Sequence, residues 1–230
     1  LRVFVQYLVW KEDPEGLKRR IDEFLTIADQ HGMRVMPMPF CDCAFAGREP
    51  YLGKQDEPVP GVHNSGWVPS PGLNRVADRS TWPDLERYIK DVIGTLRDDR
   101  RVWIWDLYNE PTNGGLGNAS VPLTELVFPW AREIDPSQPL TVAQWNGNAA
   151  LNEVICAHSD VITFHNYGSA EGLKHHIAKL DKQGRPIVHT EWLNRGRGSL
   201  VETCLPVFHE ANVGCMHWGL VNGKTQTHLA

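Results

Sequence analysis

The chain has 230 residues, of which 41% are hydrophobic and 22% are charged, and its formal net charge is −5. These values are typical of one packed globular domain, and the acidic balance argues against a nucleic-acid partner, which needs lysine and arginine concentrated on one face. No stretch approaches the roughly 18 apolar residues that cross a membrane, so no membrane partner is predicted.

Seven segments have the apolar character of strands, and helical segments alternate with them. The predicted strands cover 1–6, 34–40, 102–108, 140–145, 161–167, 186–191 and 213–218. The predicted helices cover 14–31, 80–96, 123–133, 151–157, 171–182 and 200–209. The first helix has the clearest bounds, because Asp13 can cap it, Pro14 suits its first turn and Gly32 follows its end. A glycine- and proline-rich loop, 41–79, follows the second strand.

This alternation predicts a parallel sheet with right-handed crossovers. An open nucleotide-binding sheet normally has a glycine-rich turn after its first strand, and the residues at 9–12, VWKE, contain no glycine. The predicted fold class is therefore α/β, a (β/α)8 TIM barrel. Residue 1 already lies in a strand and few residues follow the last one, so we expect a single barrel domain, 1–230, that lacks its first βα unit and its closing helix.

Several polar residues fall at the carboxyl ends of the predicted strands, where such a barrel places its active site. The third strand leads into Asn109 and Glu110, directly before Pro111, and the sixth strand ends in Glu191. Strand parity predicts that His189 and Glu191 share a face, and Pro111 is expected to hold Glu110 in extended backbone. Two glutamates on separate strands are the pair that acid and nucleophilic chemistry requires.

The motifs NEP at 109–111, HNY at 165–167 and TEW at 190–192, with a tryptophan ending the last strand, resemble the retaining glycoside hydrolases of clan A. The similarity is greatest to the family 5-like cellulases, mannanases and xylanases. It extends over the whole chain, and the joint set of motifs is more specific than NEP alone. The resemblance implies a barrel enzyme that cleaves glycosidic bonds with two carboxyl groups and needs no metal or organic cofactor.

By the matched motifs, Glu110 is expected to be the acid/base and Glu191 the nucleophile, with the charge of Glu191 raising the pKa of Glu110. Arg2 and Tyr167 are expected to donate hydrogen bonds to Glu191. Asn109 is expected to bind the 2-hydroxyl of the sugar, a hydrogen bond that strengthens in the transition state. The other predicted substrate-binding residues are His165, Trp218, Trp145 and Trp192.

Other interpretations of these residues stay open. Glu110 alone could be a helix-start acid that interacts with the helix dipole. A metal-dependent barrel hydrolase needs histidines converging with a carboxylate, and His165, His189 and Glu191 are the candidates. A catalytically silent sugar-binding barrel would hold both glutamates in an unproductive geometry. Five cysteines without a CxxC pair indicate neither a disulfide framework nor a zinc site, and they leave the compartment open.

The predicted function is retaining hydrolysis of β-glycosidic bonds in plant-type β-1,4-glucan, xylan or mannan, so the predicted partner is a carbohydrate. The alternative within this class is an exo-acting β-glycosidase of the β-mannosidase or β-galactosidase type, and the shape of the groove discriminates between the two. A barrel with an open seam would expose strand edges, which a second copy of the chain could cover in a homo-oligomer.

Overall fold

The computed structural model describes residues 1–220 and residue 225. Its strands are β1 (Arg2–Phe4), β2 (Met36–Met38), β3 (Phe40–Cys41), β4 (Trp105–Asp106), β5 (Tyr108–Asn109), β6 (Leu140–Thr141), β7 (Ala143–Gln144), β8 (Ile162–His165), β9 (Ile187–Glu191) and β10 (Gly214–Cys215). A single residue separates β2 from β3, β4 from β5, and β6 from β7. The strands therefore form seven extended segments, here called strand paths. Each strand path lies within a predicted strand or extends at most one residue beyond it.

Every strand pair is parallel, and each joins paths that are neighbours along the chain. β1 pairs with β2, β3 with β5, β4 with β6, β7 with β8, β8 with β9, and β9 with β10. This sequential order forms the wall of a barrel, whereas the order of a doubly wound sheet reverses at a switch point. Within residues 1–220, no pairing joins β10 to β1, so this part of the chain forms a partial barrel. The expectation about a closing helix concerns residues after 220 and, apart from residue 225, lies outside the described range.

The helices are α1 (Tyr7–Glu12), α2 (Pro14–Gln30), α3 (Leu73–Ala77), α4 (Trp82–Thr95), α5 (Val121–Arg132), α6 (Ala149–His158), α7 (Ala170–Leu180) and α8 (Val201–Glu210). All six predicted helices are confirmed, and the short α1 and α3 were not predicted. The helix α2 starts as its sequence indicates, because the Asp13 carboxylate accepts the Gly16 N–H at 2.8 Å. None of the described helices combines the length and apolarity needed to cross a membrane.

Apolar side chains form three clusters with different positions in the fold. The largest packs α1, α2, α4, α5 and α6 against the first four strand paths, and it includes Tyr88 and Trp105, both fully buried. A second cluster packs α7 and α8 against β8 and β9. The third consists of Met36, Ile104, Val161 and Val188, which come from four different strand paths. Since no helix contributes to it, this cluster fills the barrel interior below the strand ends.

The N-terminal cap of α2 should make a measurable contribution to stability. Asp13→Ala removes the acceptor for the Gly16 N–H and is expected to lower the free energy of unfolding by about 1 kcal/mol. Asp13→Asn keeps an acceptor and should stay close to the wild type in urea unfolding. Equal losses in the two variants would show that the cap does not stabilise this helix.

Candidate active site

A cavity of about 310 Å³ opens at the carboxyl ends of the strands. Both predicted glutamates line it, together with Asn109, Tyr167 and Trp218. Loop 41–79 and the turn 193–197 form its rim, so the long loop of the sequence covers the strand ends. A second cavity of about 450 Å³ lies between β1 and residues 216–220, and it contains neither glutamate.

Glu110 follows β5 in left-handed backbone, with φ at +45°. The prediction that Pro111 holds it extended is wrong, because contacts from outside the turn determine its conformation. The Thr112 N–H donates to the buried Asp42 carboxylate at 2.7 Å, and the Trp145 indole donates to the Pro111 carbonyl at 2.8 Å. Left-handed backbone at a non-glycine residue costs of the order of 1 kcal/mol and is typical of functional sites. Here it directs the carboxylate into the cavity.

A β-bulge at the end of β9 sets the direction of Glu191. Phe164 pairs with His189 in regular register, but the next pair is His165 with Glu191, so Thr190 is an extra residue. Strand alternation is thereby inverted after His189. His189 faces the helices and stacks on Phe164 with ring centroids 4.1 Å apart, whereas Glu191 faces the cavity. The predicted shared face of these two residues is therefore wrong.

Both hydrogen-bond donors predicted for Glu191 are in contact with it. The Tyr167 hydroxyl donates to Oε2 at 2.7 Å, and Nη1 of Arg2 donates to Oε1. Burial and the charge of Glu191 raise the pKa of Tyr167, so its hydroxyl remains a donor. Each oxygen of Glu191 thus accepts one hydrogen bond from a fixed side chain.

The two glutamates converge on His165. Its Nδ1 lies 2.7 Å from Oε1 of Glu110 and 3.6 Å from Oε2 of Glu191. One ring nitrogen of His165 and one oxygen of each glutamate all lie within 4.8 Å of one another. Retaining glycosidases have carboxyl groups about 5 to 5.5 Å apart, and inverting enzymes have them about 6.5 to 9.5 Å apart. A nearest oxygen–oxygen distance within 4.8 Å is compatible with the shorter of these two separations.

The pKa of Glu110 is lowered from its ordinary value. Burial raises it, but the hydrogen bond and charge of His165 and hydrogen bonds from Cys43 and Asn113 outweigh that effect. The Cys43 thiol donates to Oε2 at 3.2 Å, and the Asn113 amide donates to the same oxygen. The expectation that Glu191 raises this pKa is wrong, because three donors stabilise the ionised form of Glu110.

Arg2 lies beneath the cavity and connects the groups that line it. Its Nε and Nη2 donate to Oδ2 of the fully buried Asp106 at 2.9 and 2.6 Å, and Nη2 also donates to Oδ1 of Asn109 at 2.6 Å. The Asn109 amide then donates to the sulfur atoms of Cys41 and Cys43 at 3.3 and 3.4 Å. Burial raises the pKa of Asp106 against the opposing effect of the Arg2 charge.

An aromatic wall borders one side of the cavity. The Trp67 and Trp218 rings meet edge to face with centroids 5.5 Å apart, and Phe4 contacts Trp67 at 4.7 Å. All three side chains line the cavity. Aromatic rings suit the apolar C–H face of a sugar, so the predicted position of Trp218 agrees with a stacking role.

Two tryptophans predicted to bind substrate do not line this cavity. Trp192 is 4% exposed and packs against Phe208, because the residue after Glu191 points to the opposite face of the strand. Trp145 packs against the helix-side core and donates to the Pro111 carbonyl. Both predictions are wrong in position, and Trp145 instead supports the turn that carries Glu110.

Within residues 1–220 and 225, the group whose ligand atoms could hold a metal ion is Glu110, His165 and Glu191. His189, in the predicted metal set, lies outside it among aromatic rings, and burial lowers its pKa well below the ordinary value. Both oxygens of Glu191 already accept hydrogen bonds, so an ion would have to displace Arg2 or Tyr167.

The sequence analysis did not predict three side chains of the site, which are Asp106, Cys43 and Asn113. Asp106 had a usable signal, because it shares a strand face with Ile104 and an inward-facing aspartate requires a buried partner. Cys43 and Asn113 lie in loops without periodicity, so nothing in the pattern placed them beside Glu110.

Residues 59–224, well over half of the chain, match the family model described as Cellulase (glycosyl hydrolase family 5). The exo-β-1,4-mannosidase Op5Man5 from Opitutaceae bacterium strain TAV5 is 16% identical with a TM-score of 0.65, over 94% of this chain and 44% of its own. Cel5A of Thermotoga maritima, solved in complex with mannotriose, is 14% identical with a TM-score of 0.61, over 96% of this chain and 78% of its own.

A β-glucuronidase from Bacteroides uniformis is also similar, at 16% identity and a TM-score of 0.59, over 87% of this chain. The chain spans 25% of the length of that enzyme. At these identities the similarity shows the shared fold, a barrel of alternating strands and helices.

Substitutions of the buried pair Arg2 and Asp106 should have non-additive effects on the free energy of unfolding. Arg2→Met leaves buried carboxylates unpaired and is expected to lower the free energy of unfolding by about 3 to 5 kcal/mol. Adding Asp106→Leu removes the fully buried one of the two carboxylates that lose Arg2 and should recover a large part of this loss. The exposed pair of Arg97 and Asp135 provides the control, since Arg97→Met should cost less than about 1 kcal/mol. A double variant no more stable than Arg2→Met would contradict this account.

Proposed function

The chain belongs to glycosyl hydrolase family 5, and we propose that it hydrolyses β-glycosidic bonds with retention, using Glu191 as nucleophile and Glu110 as acid/base. The observation that carries this proposal is the convergence of both carboxylates on His165 within one cavity, with one oxygen of each within 4.8 Å of the other. We further propose that residues 1–230 belong to a single glycoside hydrolase domain.

In the first step, Glu191 attacks the anomeric carbon while Glu110 protonates the departing glycosidic oxygen. Arg2 and Tyr167 hold Glu191 ionised and fix the direction of its oxygens. A bond forms between the anomeric carbon and Glu191, and the bond to the leaving oxygen breaks. In the second step, Glu110 takes a proton from water as that water attacks the same carbon, which releases Glu191 and restores the original configuration.

Glu110 must carry a proton to act as an acid, although its hydrogen-bond donors lower its pKa. Burial already raises this pKa, and a bound sugar removes further water from the carboxyl group. Formation of the glycosyl-enzyme neutralises Glu191, which favours the ionised form of Glu110 needed in the second step. His165 contacts both carboxyl groups and orients Glu110 through both steps.

Asn109 and the aromatic wall are proposed to position the sugar. Asn109 lines the cavity beside Glu110, and the proposed hydrogen bond from its NH₂ group to the 2-hydroxyl replaces one of its hydrogen bonds to the cysteine sulfur atoms and strengthens as positive charge develops. Trp218 and Trp67 offer ring faces and edges next to both glutamates for stacking. These residues bind substrate without taking part in proton transfer.

The proposed substrate is a plant-type β-1,4-linked polysaccharide or oligosaccharide of glucose, xylose or mannose. Support comes from the family, whose description is cellulase, and from the similar Cel5A, which was solved with mannotriose. The compact cavity favours a second candidate, an exo-acting β-glycosidase, since loop 41–79 and the turn 193–197 restrict its rim. The similar exo-β-1,4-mannosidase belongs to this second class.

Two other functions would leave different signatures. A metal-dependent hydrolase using Glu110, His165 and Glu191 would lose activity in a chelator, and restoring the ion would recover it. A catalytically silent sugar-binding barrel would bind oligosaccharides without turnover. The hydrogen bonds that already orient both glutamates favour the metal-free hydrolase.

The roles of the two glutamates can be separated with activated aryl glycosides and azide. In Glu191→Ala, azide should displace the leaving group directly and give the inverted α-glycosyl azide. In Glu110→Ala, the glycosyl-enzyme still forms from a substrate with a good leaving group, so azide should give the retained β-glycosyl azide. Both variants should lose at least about 10³-fold of kcat on unactivated substrates.

Glu171→Ala, which removes an exposed glutamate on α7, is the matched control and should keep wild-type activity. Product configuration is read by proton NMR. The same azide anomer from both variants would contradict the division of roles.

The mode of attack can be tested on a soluble β-1,4-mannan or glucan. If loop 41–79 closes one end of the cavity, monosaccharide should accumulate while viscosity falls slowly. An early fall in viscosity with a ladder of oligosaccharides would instead support an endo-acting enzyme. Measuring viscosity and released monosaccharide in one reaction distinguishes the two candidates.

A further inference from the structure

A chain of hydrogen bonds runs from the buried cation to the proposed acid/base. Arg2 donates to Oδ1 of Asn109 at 2.6 Å, Asn109 donates to the Cys43 sulfur at 3.4 Å, and the Cys43 thiol donates to Oε2 of Glu110 at 3.2 Å. Arg2 also binds Glu191 directly. One guanidinium thus contacts one proposed catalytic carboxylate and reaches the other through an amide and a thiol.

We propose that Cys43 is a positioning residue for Glu110. Its sulfur accepts a hydrogen bond from Asn109, which itself accepts one from Arg2, and its thiol donates a hydrogen bond to the acid/base carboxylate. This inference rests on the proposed function, because it assigns a role to Cys43 in the reaction of Glu110.

The direction of each hydrogen bond is fixed by the groups themselves. A guanidinium only donates, so the Asn109 carbonyl oxygen must face Arg2 and its NH₂ group must face the sulfur atoms. An ionised carboxylate only accepts, so the S–H of Cys43 must point at Glu110. Neighbouring hydrogen bonds of the same direction polarise one another, which makes a weak thiol a better donor here than in isolation.

The thiol also stays protonated, which the role requires. The neighbouring Cys41 side chain, burial, and the charge of Glu110 raise the pKa of Cys43 well above its ordinary value. Cys43 is 5% exposed and lines the cavity, so its thiol forms part of the wall beside Glu110. A thiolate in this position would repel the carboxylate that the thiol now orients.

Cys41 provides a matched control within the same chain. Its sulfur accepts from Asn109 at 3.3 Å, as that of Cys43 does, and it is 1% exposed, whereas Cys43 is 5% exposed. No hydrogen bond joins Cys41 to Glu110 within residues 1–220 and 225. An effect on Glu110 that arises only from packing or from Asn109 should therefore appear when either cysteine is substituted. An effect that arises from loss of the donor to Glu110 should appear only when Cys43 is substituted.

The test is the carboxyl titration of Glu110, followed by ¹³C NMR in protein labelled at glutamate, with the signal assigned by its absence in Glu110→Gln. Removing a donor destabilises the ionised form, so Cys43→Ala should raise the pKa of Glu110 by roughly half a unit. Cys43→Ser restores a hydroxyl donor, which is stronger than a thiol, and should place the pKa below that of the wild type. Cys41→Ala should leave the titration unchanged.

The same shift should appear in catalysis. With an activated aryl glycoside as substrate, the alkaline limb of the pH profile of kcat/KM should move to higher pH in Cys43→Ala by the amount seen in the titration. The reason is that Glu110 stays protonated up to a higher pH. Cys43→Ser should move this limb to lower pH than in the wild type. Thermal unfolding of each variant shows whether it is folded.

An unchanged Glu110 titration in Cys43→Ala, or an equal shift in Cys41→Ala, would overturn the proposal. If Cys43→Ala does not fold, Cys43→Ser decides, since a stronger donor must lower the pKa below that of the wild type and an unchanged value overturns the proposal. The titration needs no substrate. If the wild type hydrolyses no glycoside, the proposed function fails while the NMR result still decides whether Cys43 acts on Glu110.

Discussion

The site depends on one buried cation. Arg2 lies at the start of the first strand, beneath the cavity, and its guanidinium binds Asp106, Asn109 and Glu191. A buried arginine without carboxylates is strongly destabilising, and buried carboxylates without a cation protonate or repel one another. Each group therefore keeps the others in place, and the proposed nucleophile has little freedom to turn. The donor that aims Glu191 also begins the hydrogen-bond chain that reaches Glu110.

Regular strands alone would not bring the two glutamates together. Both lie at carboxyl ends of parallel strands, where barrel geometry collects side chains from distant parts of the sequence. Each then departs locally from regular backbone, Glu110 in a left-handed turn and Glu191 after a β-bulge. Asp42 and Trp145 hold the turn from outside, so the rest of the fold maintains this local strain.

Much of this arrangement follows from the sequence, because the pattern of apolar residues reports which faces are buried. The seven strand paths and six predicted helices are confirmed, and the capped start of α2 is where Asp13 and Pro14 predict it. The donors to Glu191 were also predicted correctly.

The errors have a common physical origin. Strand parity assumes an uninterrupted ladder, and a single extra residue at Thr190 moves His189 to the helix side. The preference of a residue before proline was overridden by tertiary hydrogen bonds around Glu110. Cys43 and Asn113 contact Glu110 from loops whose paths depend on packing, and no local pattern encodes such contacts. The lowered pKa of Glu110 depends on those contacts and was mispredicted for the same reason.

The most direct measurement of the central claim is the covalent labelling of the protein by an activated 2-deoxy-2-fluoro-β-glycoside, which slows release of a glycosyl-enzyme. Mass spectrometry of the digested protein should find the fluorosugar on the peptide that contains Glu191, and on no other carboxylate. Labelling of a different residue, or release of an α-configured sugar by the unlabelled enzyme, would contradict retention through Glu191.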